Sequence, residues 1–224
     1  METPVPDFVH LHLHTQYSLL DGAIRLDPLF AKAKADGMHS VAITDHGTMF
    51  GVLEFYDKAN KAGIKPIIGC ECYVAPRSLA DKTAEDAKSL SHLVLLARNN
   101  AGYRNLCKLA TIAQMKGFYY KPRVDDAVLA EYSEGIIALS ACLQGEIPKL
   151  LLKGQMAAAE EKARYYEKIF GEGNFFLEIQ ENGLMPQREA NTLLVDMAKR
   201  LSLPLVATND CHYLDAEDTR AHEL

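Results

Sequence analysis

The stretch VAITDHG, residues 41–47, is apolar through Ile43, turns polar at Thr44, Asp45 and His46, and ends on a glycine. A short apolar run bounded by turn formers reads as a buried strand. Polar residues at the C-terminal end of such a strand sit where β/α barrels carry their sites. The same design returns late in the chain, where the apolar run 205–207 leads into Thr208, Asn209, Asp210, Cys211 and His212. Five further runs, at 8–14, 66–72, 92–97, 136–140 and 175–179, bring the predicted strands to seven. Helical patterns with one apolar face lie between several of them. These are Leu26, Leu29, Phe30 and Ala33; Val52, Phe55, Tyr56 and Ala59; and Ala190, Leu193, Leu194, Met197, Ala198 and Leu201. Asp27 before Pro28 predicts the cap and first position of the first helix, and Gly37 its stop.

Alternation of this kind predicts parallel α/β architecture. Donors supplied by nearly every strand end converge most readily at the mouth of a barrel, so a distorted (β/α)7-like barrel is expected, with the site at the C-terminal mouth of its strands. His92 starts its strand rather than ending it, which predicts an antiparallel return alongside residues 71–74. The polar segment 77–91 reads as a loop or a poorly formed helix. Residues 1–224 read as a single domain. A last helix, starting near Asp215 and still running at Leu224, marks the chain as an N-terminal piece of something longer.

The chain has 224 residues, 48% of them hydrophobic, enough for one sizeable core. No apolar run approaches the roughly 20 residues of a membrane helix, and METPVPDF is no signal peptide. No membrane partner is therefore expected. Five cysteines, an odd number, fit a reducing compartment, and the cytoplasm is expected. The formal net charge of -6 has the wrong sign for gripping nucleic acid with Lys and Arg.

Donor residues fall in clusters: His12 and His14, Asp21, His46, Glu71, His92, Cys142, and Asp210 with His212. His, carboxylate and thiolate donors suit borderline transition ions, and nine donors exceed what one ion can use. Three divalent ions against Asp21, Glu71, Asp210 and a Cys142 thiolate would leave about +2 in the pocket, enough to attract a phosphate. Alternation along FVHLHLHTQ puts His10, His12 and His14 on one strand face, with His10 deeper, behind the donors or in the core. Asp21-Gly22 is also a turn signal, and Asp45 fits either a partner of a ligating histidine or a helix cap. An unpaired Glu71 would be expensive to bury, and bridging two cations removes that cost. Cys70 and Cys72, on the opposite face, read as core, and His39 and His222 as surface.

The stretches HLHLHTQYSLLDG, ITDHGTMFGVLEFY, KPIIGCECYVAP, HLVLLARNNAGYRNL, GFYYKPRVD and VATNDCHYL together resemble the polymerase and histidinol phosphatase (PHP) family. The branch most similar is that of PHP domains in bacterial replicative DNA polymerase III alpha subunits. The resemblance implies a distorted barrel with up to three divalent ions, zinc, manganese or iron, held by His12, His14, Asp21, His46, Glu71, His92, Cys142, Asp210 and His212. It further implies metal-dependent phosphoesterase activity, with 3'-5' exonuclease proofreading on a DNA 3' end. Glu71, His14 and His212 would stand closest to the chemistry, and Glu71 would bridge ions. Polymerisation would reside downstream of residue 224. Other replicase subunits, a proofreading subunit among them, are the implied partners. Two alternatives stand beside this reading: a metal-stabilised structural or interaction domain without turnover, and a stand-alone phosphomonoesterase of the histidinol phosphatase type.

Overall fold

The computed structural model describes residues 8–219 and is built on one curled sheet. Its strands are β1 (Ser40–Ile43), β2 (Lys65–Val74), β3 (Ser91–Ala97), β4 (Arg123–Val124), β5 (Ile136–Leu139), β6 (Phe175–Gln180) and β7 (Leu205–Thr208). Eight helices accompany them: α1 (Leu26–Ala35), α2 (Val52–Ala62), α3 (Ala84–Lys88), α4 (Asn100–Met115), α5 (Asp126–Glu131), α6 (Glu146–Leu152), α7 (Met156–Phe170) and α8 (Met185–Leu201). The sheet runs β1-β2-β3-β5-β6-β7, with β4 paired to β2. All pairs are parallel except the two made by β3. The expected antiparallel return is therefore present, with Tyr73 opposite His92 and Glu71 opposite Val94.

The expected strand at 8–14 is not a regular one. It spans the seam between the two ends of the sheet. On one side Ala42 N donates to His10 O at 2.9 Å and Thr44 N to Leu13 O at 3.0 Å. On the other, Cys211 N donates to His12 O at 3.2 Å and His14 N to Cys211 O at 2.8 Å. Serving two partners in turn, the segment bends at His12, and the strict alternation is lost. His10 consequently lines an outer cleft with Leu13 and Lys32, its Nδ1 3.4 Å from Cys211 Sγ, instead of joining His12. The seventh strand is instead the two-residue β4, too short to carry a period.

Register fixes the layers. Glu71, Val94 and Leu139 lie opposite one another across β2, β3 and β5, so their side chains share the inner face. Ala42, Val94, Leu96, Leu139 and Ala141 form a small core there and floor the site above. The outer face of β2, β3 and β5 packs through Cys70, Cys72, Leu93 and Leu95 on Leu106, Leu109 and Tyr166 of the surrounding helices. Cys70 and Cys72 are thus core residues, as read. A third cluster joins α1 and α2 to β1 through Phe30 and Phe55, ring centroids 5.1 Å apart. Burying each such side chain contributes about 1.5–3 kcal/mol.

Helix α1 corrects the expected cap. Arg25 is the N-cap and offers no side-chain bond, so Asp27 and Pro28 fall inside the first turn. Burial of Leu26 with Leu29, Phe30 and Ala33 starts the helix earlier than the cap signal does. Its end is as read: Asp36 follows Ala35, and Gly37 has φ +73. Helices α4 to α7 were not singled out from the sequence. The predicted last helix begins as a short 3-10 turn, Ala216–Asp218, and its continuation through residues 221–224, with His222, lies outside the described residues. His39 is exposed, as expected. No helix among the described residues is long and apolar enough to cross a membrane.

Segment 77–91 holds more structure than its composition suggests. Thr83 and Asp86 form a capping box for α3, and Arg77 bonds the same carboxylate through Nε at 3.0 Å and Nη2 at 2.9 Å. Bonds from the Thr83 hydroxyl and backbone, with Arg77, hold the Asp86 pKa down at about 2. A carboxyl depressed in the folded state contributes stability above its unfolded value of about 3.9, and loses it as pH falls toward 2. Amide exchange in residues 83–88 is expected to accelerate across that window and, in Asp86→Asn, to be fast at every pH. Unchanged protection in the variant would show that the box does not hold the segment.

Candidate metal centre

The loops after β1, β5 and β7 and the seam segment meet over the inner face of β2. Gly47 N donates to Glu71 O at 2.8 Å, which runs the 44–47 loop along β2 and sets His46 beside Glu71. His92 N donates to Gln144 O at 3.0 Å, which brings the 142–145 loop alongside β3. Asp210 has φ +52 and Ala141, next to Cys142, has φ +63. Left-handed backbone at non-glycine residues is sparsely populated and concentrates at sites that dictate it.

Glu71 is the hub. Its Oε1 lies 3.2 Å from His12 Nε2 and 3.0 Å from His92 Nδ1. Its Oε2 lies 2.6 Å from His46 Nδ1 and 3.5 Å from His14 Nε2. Asp210 Oδ1 stands 3.2 Å from both His12 Nε2 and His14 Nε2, and Asp21 Oδ2 stands 3.2 Å from His46 Nε2. The His14 ring is stacked between those of His46 and His212, at 4.0 and 4.3 Å. Asp21 lies in the turn it was read as, where a Cβ on Gly22 would meet Thr15 O at 1.9 Å, and from there it faces His46. Three sets have donor atoms mutually within 4.8 Å: His14, His46 and His212; His12, His14 and Glu71; His46, Glu71 and His92. Cys142 belongs to none of them, yet burial and then Glu71 and Asp210 push its thiol pKa up.

Electrostatics shows how crowded the centre is. Burial pulls the His12 pKa down, but Asp210, Glu178 and Glu71 outweigh it and hold the imidazole well above its usual range. Burial dominates at His14 and lowers it to about 4. His46, also opposed by burial, is raised to about 9 by its bonds to Asp21 and Glu71. Burial opposes ionisation of Glu71, and the facing His92 and His12 nevertheless hold its pKa well below the carboxylate range.

Donor atoms of this set are left without hydrogen bonds while buried: His12 Nε2, His14 Nε2, His46 Nδ1, Glu71 Oε2, Asp21 Oδ1 and Asp210 Oδ1. Buried polar atoms are almost always hydrogen-bonded, and five of these six instead face one another at ion-pair distances of 2.6–3.5 Å, an arrangement that fits metal ligation. The mixed imidazole and carboxylate set suits zinc, manganese or iron better than magnesium.

A supporting layer was missed in the sequence. Glu178 is fully buried; its Oε1 meets His12 Nδ1 at 2.7 Å, takes a bond from Gln180 Nε2 at 2.9 Å, and is also bonded by Thr208 Oγ1. The signal was a carboxylate and an amide two apart on the predicted strand 175–179 and its margin, which alternation places on one face. Asp45 takes neither role read for it. It accepts from Thr15 N at 2.6 Å and from Ser18 Oγ at 2.8 Å, and Ser18 Oγ in turn sits 3.1 Å from His14 Nδ1. Helix α2 is capped at Gly51. Because Glu178 fixes which His12 nitrogen faces the centre, Glu178→Gln is expected to weaken metal affinity about 10- to 100-fold. Competition with a chromogenic chelator measures it, and an affinity within twofold of wild type would remove Glu178 from the site's support.

Known proteins share this chain's sequence and its fold. The chain is 50% identical over 218 residues to the DNA polymerase III subunit alpha of Treponema pallidum (strain Nichols), covering 97% of this chain and 19% of the relative. It thus spans about a fifth of that relative's length. Among solved structures, a candidate metal-dependent phosphoesterase of Bifidobacterium adolescentis shares the fold, with TM-score 0.56, 16% identity and coverage of 98% of this chain and 96% of the other. An amidohydrolase from Chromobacterium violaceum does so with TM-score 0.59, 14% identity and coverage of 96% and 95%. The PHP domain model matches residues 10–182, three-quarters of the chain, so the chain belongs to the PHP domain family.

Proposed function

We propose that this chain is the PHP domain of a replicative DNA polymerase alpha subunit, acting as a metal-dependent phosphoesterase that removes 3'-terminal nucleotides from DNA. The observation that carries the reading is the convergence of four histidine nitrogens on the buried Glu71 carboxylate, two at each oxygen. His12, His14, Asp21, His46, Glu71, His92, Cys142, Asp210 and His212 would hold up to three divalent ions. Such ions supply activated water and neutralise charge on the phosphate and the leaving 3' oxygen. Glu71, with each oxygen facing two histidines, is placed to bridge neighbouring positions. His14, clamped between two rings and tied to Ser18, holds its Nε2 toward the centre. His212, with Nδ1 3.0 Å from Asp210 O, presents Nε2 toward Asp21 at the rim. No side chain needs to act as nucleophile. On this reading the protein works in the cytoplasm, and polymerisation, DNA holding and contacts with other replicase subunits, a proofreading subunit among them, are not assigned to these residues, which span about a fifth of the relative's length.

Elemental mass spectrometry of protein purified without chelator is expected to find two or three zinc, manganese or iron ions per chain, lost in His12→Ala/Asp210→Ala. Release of 3'-terminal nucleotides from a labelled oligonucleotide should vanish in the same variant. Metal bound without any turnover of diester would reduce the domain to a structural role. Hydrolysis of a small monoester far faster than the oligonucleotide would favour the phosphomonoesterase reading.

A further inference from the structure

A cleft of about 250 Å³ opens beside Asp21 and His46 and is lined beyond them by Thr48, Phe50, Tyr73 and Lys121. None of these four belongs to the metal centre. The Tyr73 ring lies over that of His46, centroids 5.7 Å apart and planes 22° apart, and Lys121 Nζ stands 5.2 Å from the Tyr73 centroid. Lys121 reaches this place because Tyr120, at φ +59, makes the tight turn in which Tyr119 N donates to Lys121 O at 3.1 Å. The ammonium makes no ion pair among the described residues, although the chain is acidic overall. Thr48 Oγ1 is buried and has no hydrogen-bond partner among the described residues. Phe50, by contrast, is 63% exposed at the rim.

A cation without a carboxylate and a buried hydroxyl without a partner both fit phosphate oxygens. An exposed ring fits the face of an unstacked base, the usual way proteins hold single strands without reading their sequence. A small phosphomonoester would leave Phe50 unused. We propose that this cleft is the subsite for the unpaired terminal nucleotide of a single-stranded nucleic acid, with the base on Phe50 and the adjoining phosphate on Lys121 and Thr48. The assignment rests on the phosphoesterase reading of the neighbouring centre, and it makes Lys121 and Phe50 positioning residues for the substrate.

The test uses the manganese-loaded protein and a 5'-labelled DNA strand with phosphorothioate linkages at its 3' end, followed by fluorescence anisotropy. Lys121→Ala and Phe50→Ala should each weaken binding about tenfold, in line with about 1–3 kcal/mol for one stacked base. Metal content and melting temperature should stay as in wild type. Lys121→Ala should also flatten the salt dependence of log Kd by about 0.7, the share of one phosphate contact on a single strand. Unchanged affinity in both variants overturns the proposal. So does wild-type protein that fails to bind the strand at about 0.1 mM, where even non-specific contacts register. Phe50→Ala weakening inorganic phosphate as much as the strand would overturn the base subsite. An unmodified strand of the same sequence, held through Lys121 and Phe50 but never cleaved with any metal, would sink the phosphoesterase reading and leave the cleft standing. Cleavage indifferent to both substitutions would do the reverse.

Discussion

Glu71→Gln is expected to lose at least one bound ion per chain and to weaken the remaining metal affinity by about 10²–10³-fold. The carboxylate is buried, and each oxygen faces two imidazole nitrogens, at 3.2 and 3.0 Å for Oε1 and 2.6 and 3.5 Å for Oε2. Removing one member of such a buried charged cluster costs about 3–5 kcal/mol, and about 1.4 kcal/mol is a factor of ten. The amide keeps the shape but turns a donor toward nitrogens that need an acceptor. Isothermal titration with manganese or zinc measures the loss. In metal-free protein, the His46 titration near 9 should fall toward the ordinary 6.5. A histidine raised in the folded state contributes stability below its unfolded value, and loses it as pH rises through the folded one. The His46 contribution is thus complete below about pH 6.5 and gone above about 9 in metal-free wild type. Wild-type metal content and titration in Glu71→Gln would displace Glu71 from the hub.

Arg123→Met is expected to destabilise the fold by about 3–5 kcal/mol without touching a donor residue. Arg123 is fully buried, and its guanidinium donates to Gly117 O at 2.9 Å, Asp81 O at 3.0 Å and Leu79 O at 3.2 Å. The Tyr119 ring packs 5.4 Å from its charge centre, and no ion pair involves it among the described residues. Methionine fills the space but strands three carbonyls, each costing about 1–3 kcal/mol when left unpaired. Lysine rescues only part, because an ammonium cannot span three acceptors with a planar fork. Urea denaturation should show the midpoint falling for both variants, methionine more than lysine, with proteolysis first appearing at residues 77–82. A midpoint for Arg123→Met equal to wild type would refute the account.

The donor clusters at strand ends and the antiparallel return of β3 were legible because each is a local pattern. Polar residues after an apolar run mark a strand end, and His92 on the wrong end of a run demanded a reversal. The seam was misread for the opposite reason. Residues 8–14 look like a strand by alternation, but their partners sit on two elements far away in sequence, and the bend that satisfies both cannot be seen locally. The α1 cap failed where tertiary burial of Leu26 overrode it. Glu178 left only a faint signal, a carboxylate two residues from an amide on one strand face, and that acquires a function only when His12 is found beside it. Likewise Asp45 works through Ser18, a partner that no spacing rule supplies. β4, only two residues long, exists because β2 offers it an edge and Arg123 anchors what surrounds it.

The seam has a consequence in time. His12 finds Glu178 at a separation of 166 residues, and His10 meets Cys211 across 201. Synthesis exposes the first histidines long before the strands that frame them leave the ribosome, so until Cys211 emerges the ends of the sheet stay apart and His12 and His14 have no Asp210 beside them. Metal held at the closed centre would then tie the seam segment to strands made much later, and a filled site would mark a closed sheet. A chain truncated ahead of Asp210 would carry most of the donors and still lack the closure that makes them one site.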